Sequence, residues 1–412
     1  MSLLLALACT FVLEDVPCST DSGDSGADSA ADSGDSAADS DDSAVDTGED
    51  TGEDTACETA SLAQDADGDG FGDVTTVEER CPTEGWVAVT GDCDDSDADV
   101  FPGALERCNG SSDACDPAWT SDDGLATFTD ATGSTDQTAL LAGFDGAPGV
   151  GDFGQGDLAL CGGTWFVNLS FTAGGEVRSV GDRAVLDGGG VGPVLALFAG
   201  DYVVSGIRVQ HGLGVSGGGI VVDGGDSVEL SDLEVQDNVA TEGGGLYVQG
   251  GTVVTMADSL ISGNVATASG GGIALSGAEL SVTGSSIEGN EAGDNGGGLA
   301  GLAGAGSVVT LTASTLSGNH AVGLGAGVLA EDLSLVCVGD AATDGIGIFG
   351  NVSDTKRSEI RLEGRAATAS GENCDLALEG AGALGVVSVE GVDDFEYGAD
   401  ATFLCDSVGC LP

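Results

Sequence analysis

The fold of this chain is decided by the segments SGNVA at residues 262–266 and GGGIAL at 270–275. These segments form one copy of a repeat. An asparagine recurs at positions 238, 264, 290 and 319, at spacings of 26, 26 and 29 residues, and a glycine triplet follows each of the first three. A period in the twenties with short β-branched runs and no helical pattern predicts a solenoid.

Each repeat has about three short apolar runs, which in one copy are residues 273–275, 280–282 and 286–287. Three short strands per turn predict an all-β fold, a right-handed parallel β-helix. We expect Val, Leu and Ile to stack inward, and Gly and Asn to occupy positions that need a positive φ. The asparagine side chains are expected to bond one another from coil to coil. Residues 160–390 leave room for eight or nine coils.

Composition excludes several classes of protein. The 412 residues include 70 acidic and only 9 basic ones, for a formal net charge of −61, together with 73 glycines and 12 cysteines. So few bases cannot form a large surface for nucleic acid, and an anionic membrane would repel the chain. The glycines lack the three-residue period of collagen. Twelve cysteines indicate an oxidising compartment.

The N-terminal part divides into two segments. Residues 3–8 are apolar and lead into Cys9, and residues 19–56 contain thirteen acidic and no basic residues. The second segment has little to bury and repels itself, so we expect an extended, disordered linker. LALAC at residues 5–9 resembles a bacterial lipobox, which implies lipidation of Cys9 and a membrane contact through lipid alone.

A segment rich in Asp and Cys follows the linker. DADGDGFGD at residues 65–73 places carboxylates at positions 1, 3, 5 and 9 and glycine at position 6, as in calcium loops, although Thr76 replaces the position-12 glutamate. A second acidic cluster spans residues 92–99. Oxygen ligands favour a hard ion, so Ca²⁺ is the predicted cofactor. The candidate metal ligands are Asp65, Asp67, Asp69, Asp73, Asp92, Asp94, Asp95, Asp97 and Asp99.

Four cysteines, Cys81, Cys93, Cys108 and Cys115, lie in this segment, and two disulfides among them would staple a module too small for its own core. Zinc bound by these cysteines is an alternative, although no CxxC pair is present. An acidic loop region without a defined ion is another. Cys337, Cys374, Cys405 and Cys410 are expected to brace the C-terminal coils and cap, and no partner can be assigned to Cys161.

Residues 65–116 resemble the Asp/Cys-rich metal-binding motif repeat of bacterial surface proteins, which runs DxDGDGxGD and then DCDDxDxxxxPGAxExCNGxDxDCDG. Residues 111–114 and Pro117 depart from its closing part. The SGN and GGG[IL] segments resemble the repeats of polymorphic outer-membrane proteins. These resemblances imply a bacterial surface lipoprotein that is exposed at the outer membrane or secreted.

The predicted organisation follows from these segments. It comprises a signal or lipobox segment (1–18), a linker (19–56), a calcium-binding module (57–120), a connecting segment with an N-terminal cap (121–160), a parallel β-helix (161–390) and a C-terminal cap (391–412).

Two functions are compatible with this organisation. The first is an adhesive or structural role with an extracellular glycan or a cell-surface protein as partner. The alternative is a β-helix polysaccharide hydrolase or lyase. Arg208 is the only Lys or Arg between residues 184 and 355, and a negative surface repels polyanionic substrates. Asp232, Asp237 and Asp258, with His211 and His320, are predicted to be turn residues rather than catalysts, so an enzyme is the less favoured reading.

Overall fold

The computed structural model of the protein describes residues 57–119, 121–122, 125–136, 149–302, 306–331, 333–338, 347–354, 360–363, 368–372 and 387–390. All of them belong to one compact unit, Cys57–Pro412. The predicted linker, the segment around Cys9, and Cys374, Cys405 and Cys410 lie outside the described residues.

The Asp/Cys module is built from short strands joined by acidic loops. Its elements are β1 (Ala60–Gln64), β2 (Gly72–Asp73), a 3-10 turn (Val74–Thr76), β3 (Glu78–Arg80), β4 (Trp86–Val87) and β5 (Thr90–Asp92). Strand β1 pairs antiparallel with β3 and β4, and β2 pairs parallel with β5. The buried apolar side chains of the module are only Leu62, Ala63 and Val100 among the described residues. Burial of so few apolar side chains is not enough to stabilise the module, so it needs further stabilising interactions.

The chain enters the solenoid through β6 (Ala126–Asp130), β7 (Thr135–Asp136), β8 (Gly149–Phe153), β9 (Gly156–Phe171), β10 (Gly175–Asp187) and β11 (Leu195–Phe198). Strand β6 pairs antiparallel with β9 and covers that strand's edge. The ring of Phe153 stacks on that of Phe171 at a centroid distance of 4.8 Å, and the tilted ring of Phe128 contacts it at 4.7 Å. Parallel pairing begins with β8 against β9.

The complete coils each contribute four strands. They are β12 (Tyr202–Ser205), β13 (Ile207–Gln210), β14 (Leu213–Ser216), β15 (Ile220–Asp223); β16 (Ser227–Ser231), β17 (Glu234–Gln236), β18 (Val239–Glu242), β19 (Leu246–Gln249); β20 (Val253–Ala257), β21 (Leu260–Ser262), β22 (Val265–Ala266), β23 (Ile273–Ser276); β24 (Glu279–Thr283), β25 (Ser286–Glu288), β26 (Glu291–Ala292), β27 (Leu299–Gly301); β28 (Ser307–Thr312), β29 (Thr315–Ser317), β30 (His320–Ala321), β31 (Val328–Glu331); and β32 (Leu333–Val338), β33 (Gly347–Phe349), β34 (Val352–Ser353), β35 (Ile360–Glu363). Strands β36 (Thr368–Glu372) and β37 (Val387–Glu390) follow.

Equivalent strands of successive coils stack in parallel to form four ladders, which we name A to D after the strands β12, β13, β14 and β15 that they contain. Ladder A continues to β36, ladder B to β33, and ladder C runs from β14 to β34. Ladder D includes β11 and continues to β37. Ladders A and B extend back through β10 to β9, and ladder D extends back to β9. The all-β parallel solenoid predicted from the repeat is confirmed.

The core is a column of aliphatic side chains, because alternate residues of each short strand point inward. In ladder A, residues Val228, Val254, Leu280, Val309 and Leu335 occupy the same register position in successive coils. All five are essentially inaccessible to solvent. Burial of such side chains contributes about 1.5–3 kcal/mol each, and it is the main stabilising term of the solenoid.

A ladder of buried asparagines accompanies the core, as the sequence predicts. Asn238, Asn264, Asn290, Asn319 and Asn351 form a continuous chain in which each Nδ2 donates to the Oδ1 of the next at 2.9–3.0 Å. Each Oδ1 also accepts a bond from the backbone N–H of the preceding asparagine. Because the asparagine amides are hydrogen-bonded to one another, their hydrogen bonds compensate for the loss of water on burial.

Six coils carry the full set of four strands in the described part of the chain, while β9, β10 and β11 stack before them and β36 and β37 after them. The sequence prediction differs from the structure in two respects. The strand after each asparagine, such as β22, was missed because it is only two to four residues long. The positive φ falls on the residue before the asparagine, as at Asp237 (54°) and Gly263 (64°), rather than on the asparagine itself.

Candidate metal centre

The loop between β1 and β2 is organised by carboxylates that accept bonds from its own backbone. Asp65 accepts from the N–H groups of Gly68 at 2.7 Å and Gly70 at 3.2 Å. Both glycines have positive φ, 88° and 97°, so a side chain there would be strained. The loop therefore closes on Asp65, as the predicted calcium-loop pattern requires.

Three carboxylates of this region each leave one oxygen unpaired. The Oδ1 atoms of Asp67, Asp69 and Asp92 accept from the N–H groups two residues further on, at 3.2, 2.7 and 2.8 Å. The Oδ2 atoms of the same three residues are buried and have no hydrogen-bond partner. These residues offer carboxylate oxygens that all lie within 4.8 Å of one another. Buried unpaired oxygens are rare, and an ion among them is the simplest explanation.

Electrostatics in this group disfavour three free carboxylates. Asp92 is only 4% exposed. Burial raises the pKa of Asp92, and the negative charges of Asp69, Asp67 and Asp95 raise it further. Burial likewise raises the pKa of Asp67. A divalent cation would remove this repulsion by supplying the missing opposite charge.

A second group adjoins the first and shares Asp67 with it. Asp65, Asp67 and Asp95 also offer carboxylate oxygens that lie within 4.8 Å of one another. Asp95 is tied to the loop because its Oδ1 accepts from the N–H of Ala66 at 2.9 Å. Strand β5 and the turn after it therefore bring Asp92 and Asp95 to the loop that holds Asp65, Asp67 and Asp69. These five residues, termed the metal cluster below, could hold a metal ion.

Two of the remaining predicted ligands make other bonds. Asp73 caps the 3-10 turn, since its two oxygens accept from the N–H and the hydroxyl of Thr75 at 2.7 and 2.8 Å. These hydrogen bonds lower the pKa of Asp73. Asp94 accepts from the hydroxyl of Ser96 at 2.6 Å. Neither residue is part of the metal cluster.

Asp97 and Asp99 face a basic residue instead of the metal cluster. The Arg107 guanidinium lies 3.1 Å from an oxygen of each and 2.7 Å from Asp113. The hydrogen bond from Arg107 lowers the pKa of Asp97. Burial alone would raise the pKa of Asp113, but bonds from Arg107 and Asn109 outweigh it and lower that pKa. Sequence reasoning missed Arg107, although it is the only basic residue between positions 81 and 177.

Disulfides staple the module, but only one pairing joins two of the four predicted cysteines. Cys93 bonds to Cys115 inside the module. Cys81 pairs with Cys57, and Cys108 pairs with Cys161 in β9. A zinc site would need these sulfurs as thiolates, so the zinc alternative is not supported. Cys337 is also disulfide-bonded.

The carboxylates considered for glycan chemistry are turn residues. Asp232, Asp237 and Asp258 have φ values of 52°, 54° and 50°, the left-handed conformation that Asp tolerates better than most residues. Asp232 and Asp258 line a groove at the corner between ladders A and B, together with Glu234. Arg183 lies 2.6 Å from an oxygen of Asp232.

The two histidines each face a carboxylate. His211 Nδ1 lies 2.7 Å from the largely buried Asp187, and His211 also has a positive φ of 54°. His320, in strand β30 of ladder C, has its Nε2 3.0 Å from Asp354, which follows β34. Within the described coils, the side-chain partners of His211 are Asp187 and Gln210, and those of His320 are Asp354 and Glu291, so neither histidine is paired with a serine or cysteine.

Comparison with known proteins supports the fold. Residues 218–357 match the family model of the right handed beta helix region. The match spans the coils with the asparagine ladder, and it identifies the parallel solenoid as a right-handed β-helix. No curated protein and no solved structure matches the chain. The Asp/Cys module lies outside the matched residues. Within the described ranges, no helix is long and apolar enough to cross a membrane.

Proposed function

We propose that the chain is a calcium-binding β-helix protein of the bacterial cell surface or of the extracellular space, with an adhesive or structural role. The observation that carries the calcium part is the group of Asp67, Asp69 and Asp92, which offer carboxylate oxygens within 4.8 Å of one another and each of which has a buried Oδ2 without a hydrogen-bond partner. The donors are all oxygens, which favours a hard cation over zinc or copper. Several carboxylates on short loops suit Ca²⁺, which accepts varied coordination geometry, better than Mg²⁺, which demands stricter octahedral geometry.

Three disulfides support an oxidising location, because cytosolic thiols are kept reduced. Lipidation of Cys9 would account for a membrane attachment, and mass spectrometry of the N-terminal peptide from membrane fractions tests it. The long regular faces of the ladders support contacts with a glycan or a cell-surface protein rather than turnover of a small substrate. Binding to a panel of extracellular polysaccharides tests that part of the proposal.

Isothermal titration calorimetry of the full oxidised chain tests calcium binding directly. The full chain is required because residues 57–120 alone would leave Cys108 without Cys161. We expect Ca²⁺ to bind with a dissociation constant on the order of 0.1–1 mM, as in extracellular modules. Asp69→Asn should weaken binding at least tenfold. The matched control is Asp73→Asn, which lies in the same motif but outside the metal cluster and should bind as the wild type does.

A polysaccharide hydrolase or lyase is the alternative, and the groove lined by Asp232, Glu234 and Asp258 is the feature that favours it. Two of these carboxylates are engaged in ion pairs, Asp232 with Arg183 and Glu234 with Arg208. Turnover of a glycan that is lost in Asp258→Asn would support the enzyme. Binding without turnover would support the adhesive role.

A further inference from the structure

The acidic residues of the module fall into two clusters that differ in how their charge is neutralised. The metal cluster has buried oxygens with no donor. The second cluster, termed the arginine cluster, consists of Asp97, Asp99 and Asp113 around Arg107. Each of its three carboxylates has a guanidinium nitrogen within 3.1 Å. One cluster thus lacks a positive charge and the other contains its own.

Asp113 shows that the guanidinium is essential to the arginine cluster. Its side chain is completely buried. It accepts bonds from Arg107 Nε at 3.0 Å, from Arg107 Nη2 at 2.7 Å and from Asn109 Nδ2 at 2.9 Å. A buried carboxylate is costly unless a charge and hydrogen bonds compensate it. Arg107 supplies both, and its planar fork of donors can meet several carboxylates at once.

The arginine cluster also lies where the module joins the β-helix. Cys108 follows Arg107 directly and is bonded to Cys161 of β9. The backbone oxygen of Cys108 lies 3.5 Å from the position that a Cβ on Gly181 of β10 would occupy. Whatever fixes the conformation of residues 97–115 therefore fixes this junction.

We propose that Arg107 is a built-in cation that takes the place of a second metal ion. Residues 97–115 and their junction with the β-helix then keep their structure without metal, whereas residues 65–95 depend on it. The second half of this statement rests on the proposed function. The module is accordingly divided into a metal-responsive loop and a metal-independent junction.

Hydrogen–deuterium exchange of the full oxidised chain, with 5 mM Ca²⁺ or with EDTA, tests the division. Chelation should increase exchange at least tenfold in peptides from residues 65–76 and leave peptides from residues 97–115 within twofold. Equal loss of protection in both regions would overturn the inference while leaving calcium binding intact. No effect of chelation in either region would instead refute the proposed function.

Arg107→Gln tests the role of the charge, since glutamine keeps hydrogen-bonding capacity but is neutral. We expect residues 97–115 to lose protection in EDTA and to regain it in Ca²⁺, with one additional ion bound per chain by calorimetry. Arg107→Lys keeps a positive charge and should retain most of the protection in EDTA. Unchanged protection of Arg107→Gln in EDTA would contradict the inference. Failure of Ca²⁺ to restore the protection of Arg107→Gln would also contradict the inference. If this variant misfolds, the exchange experiment on the wild type still tests the inference.

Discussion

The Asn264 side-chain nitrogen donates a 3.0 Å hydrogen bond to the side-chain oxygen of Asn290 one coil further on, and neither residue is exposed to solvent. The same nitrogen also donates to the carbonyl of Val235 at 2.9 Å. Each asparagine thus joins three coils. The ladder fixes the stacking register, because a slip by one residue would leave buried amides unpaired.

Asn264→Leu should lower the free energy of unfolding by about 3 kcal/mol or more, because it removes the partners of several buried polar groups at about 1–3 kcal/mol each. Leucine has a similar size, so the loss reports on hydrogen bonding rather than on a cavity. Urea denaturation measures the effect. Thr255→Ala, on the exposed face of ladder A, is the control and should change stability by less than about 0.5 kcal/mol. Equal effects of the two changes would contradict a stabilising ladder.

The glycine triplet is required by the stacking of coils. A Cβ on Gly271 would lie 2.4 Å from the backbone oxygen of Gly297 and 2.5 Å from that of Glu291. Gly271→Ala should therefore destabilise the protein by about 3 kcal/mol or more. This exceeds the usual cost of overpacking a core, because the backbone of the neighbouring coil would have to move. Gly289→Asn is the contrast, since that glycine has open space and a φ of 63° that Asn tolerates. Thermal unfolding should show a large loss for the first variant and little change for the second.

Asp92→Asn should have opposite effects with and without calcium. In the ion-free protein the substitution removes a buried charge from a group of repelling carboxylates, so the melting temperature should rise. In the presence of Ca²⁺ it removes a ligand, and the melting temperature should fall below that of the wild type. Thermal shift assays at 5 mM Ca²⁺ and in EDTA measure both. A change of the same sign in the two conditions would argue against a metal at this position.

Calcium binding should weaken on acidification within a defined pH window. Since the pKa values of Asp67 and Asp92 are raised in the ion-free fold, this fold binds protons more tightly than the unfolded chain does. The ion-free protein should therefore become less stable as pH rises from the ordinary pKa of Asp through the raised pKa values of these two residues. Ca²⁺ needs both groups deprotonated, so its affinity should fall as pH drops through the same window. Asp97 and Asp113 have lowered pKa values, so they stabilise the fold above the ordinary Asp range, and this contribution is lost only as pH falls below that range.

The Cys108–Cys161 disulfide should contribute up to about 4 kcal/mol, as expected from the entropy of closing a loop of 53 residues. A double substitution, Cys108→Ser with Cys161→Ser, should leave the β-helix folded but make residues 116–136 sensitive to proteases. Non-reducing peptide mapping checks the pairing itself. Recovery of Cys81 linked to Cys108, rather than to Cys57, would refute the assignment.

The repeat made the solenoid and the asparagine ladder predictable, because identical residues at a fixed period must stack in equivalent places. The short strands of ladder C escaped prediction because two residues such as Val265 and Ala266 carry no periodic signal. In the module, the spacing of Asp and Gly residues indicated the loop around Asp65. It could not distinguish aspartates that face a metal from an aspartate that caps the 3-10 turn. Asp73 and Asp67 look equivalent in sequence, and only the fold shows that Thr75 bonds both oxygens of Asp73 whereas Oδ2 of Asp67 has no hydrogen-bond partner.

The disulfides also determine how the protein would carry a mechanical load. A pull applied at Cys57 passes directly to Cys81, so residues 58–80 are bypassed. It then reaches Cys93, crosses to Cys115, and enters the β-helix through Cys108 and Cys161. The loop that carries Asp65, Asp67 and Asp69 lies off this covalent path. Asp92, by contrast, lies on the path, in the segment between Cys81 and Cys93. Tension along the chain would therefore act on Asp92 but not on the backbone that carries the other three ligands.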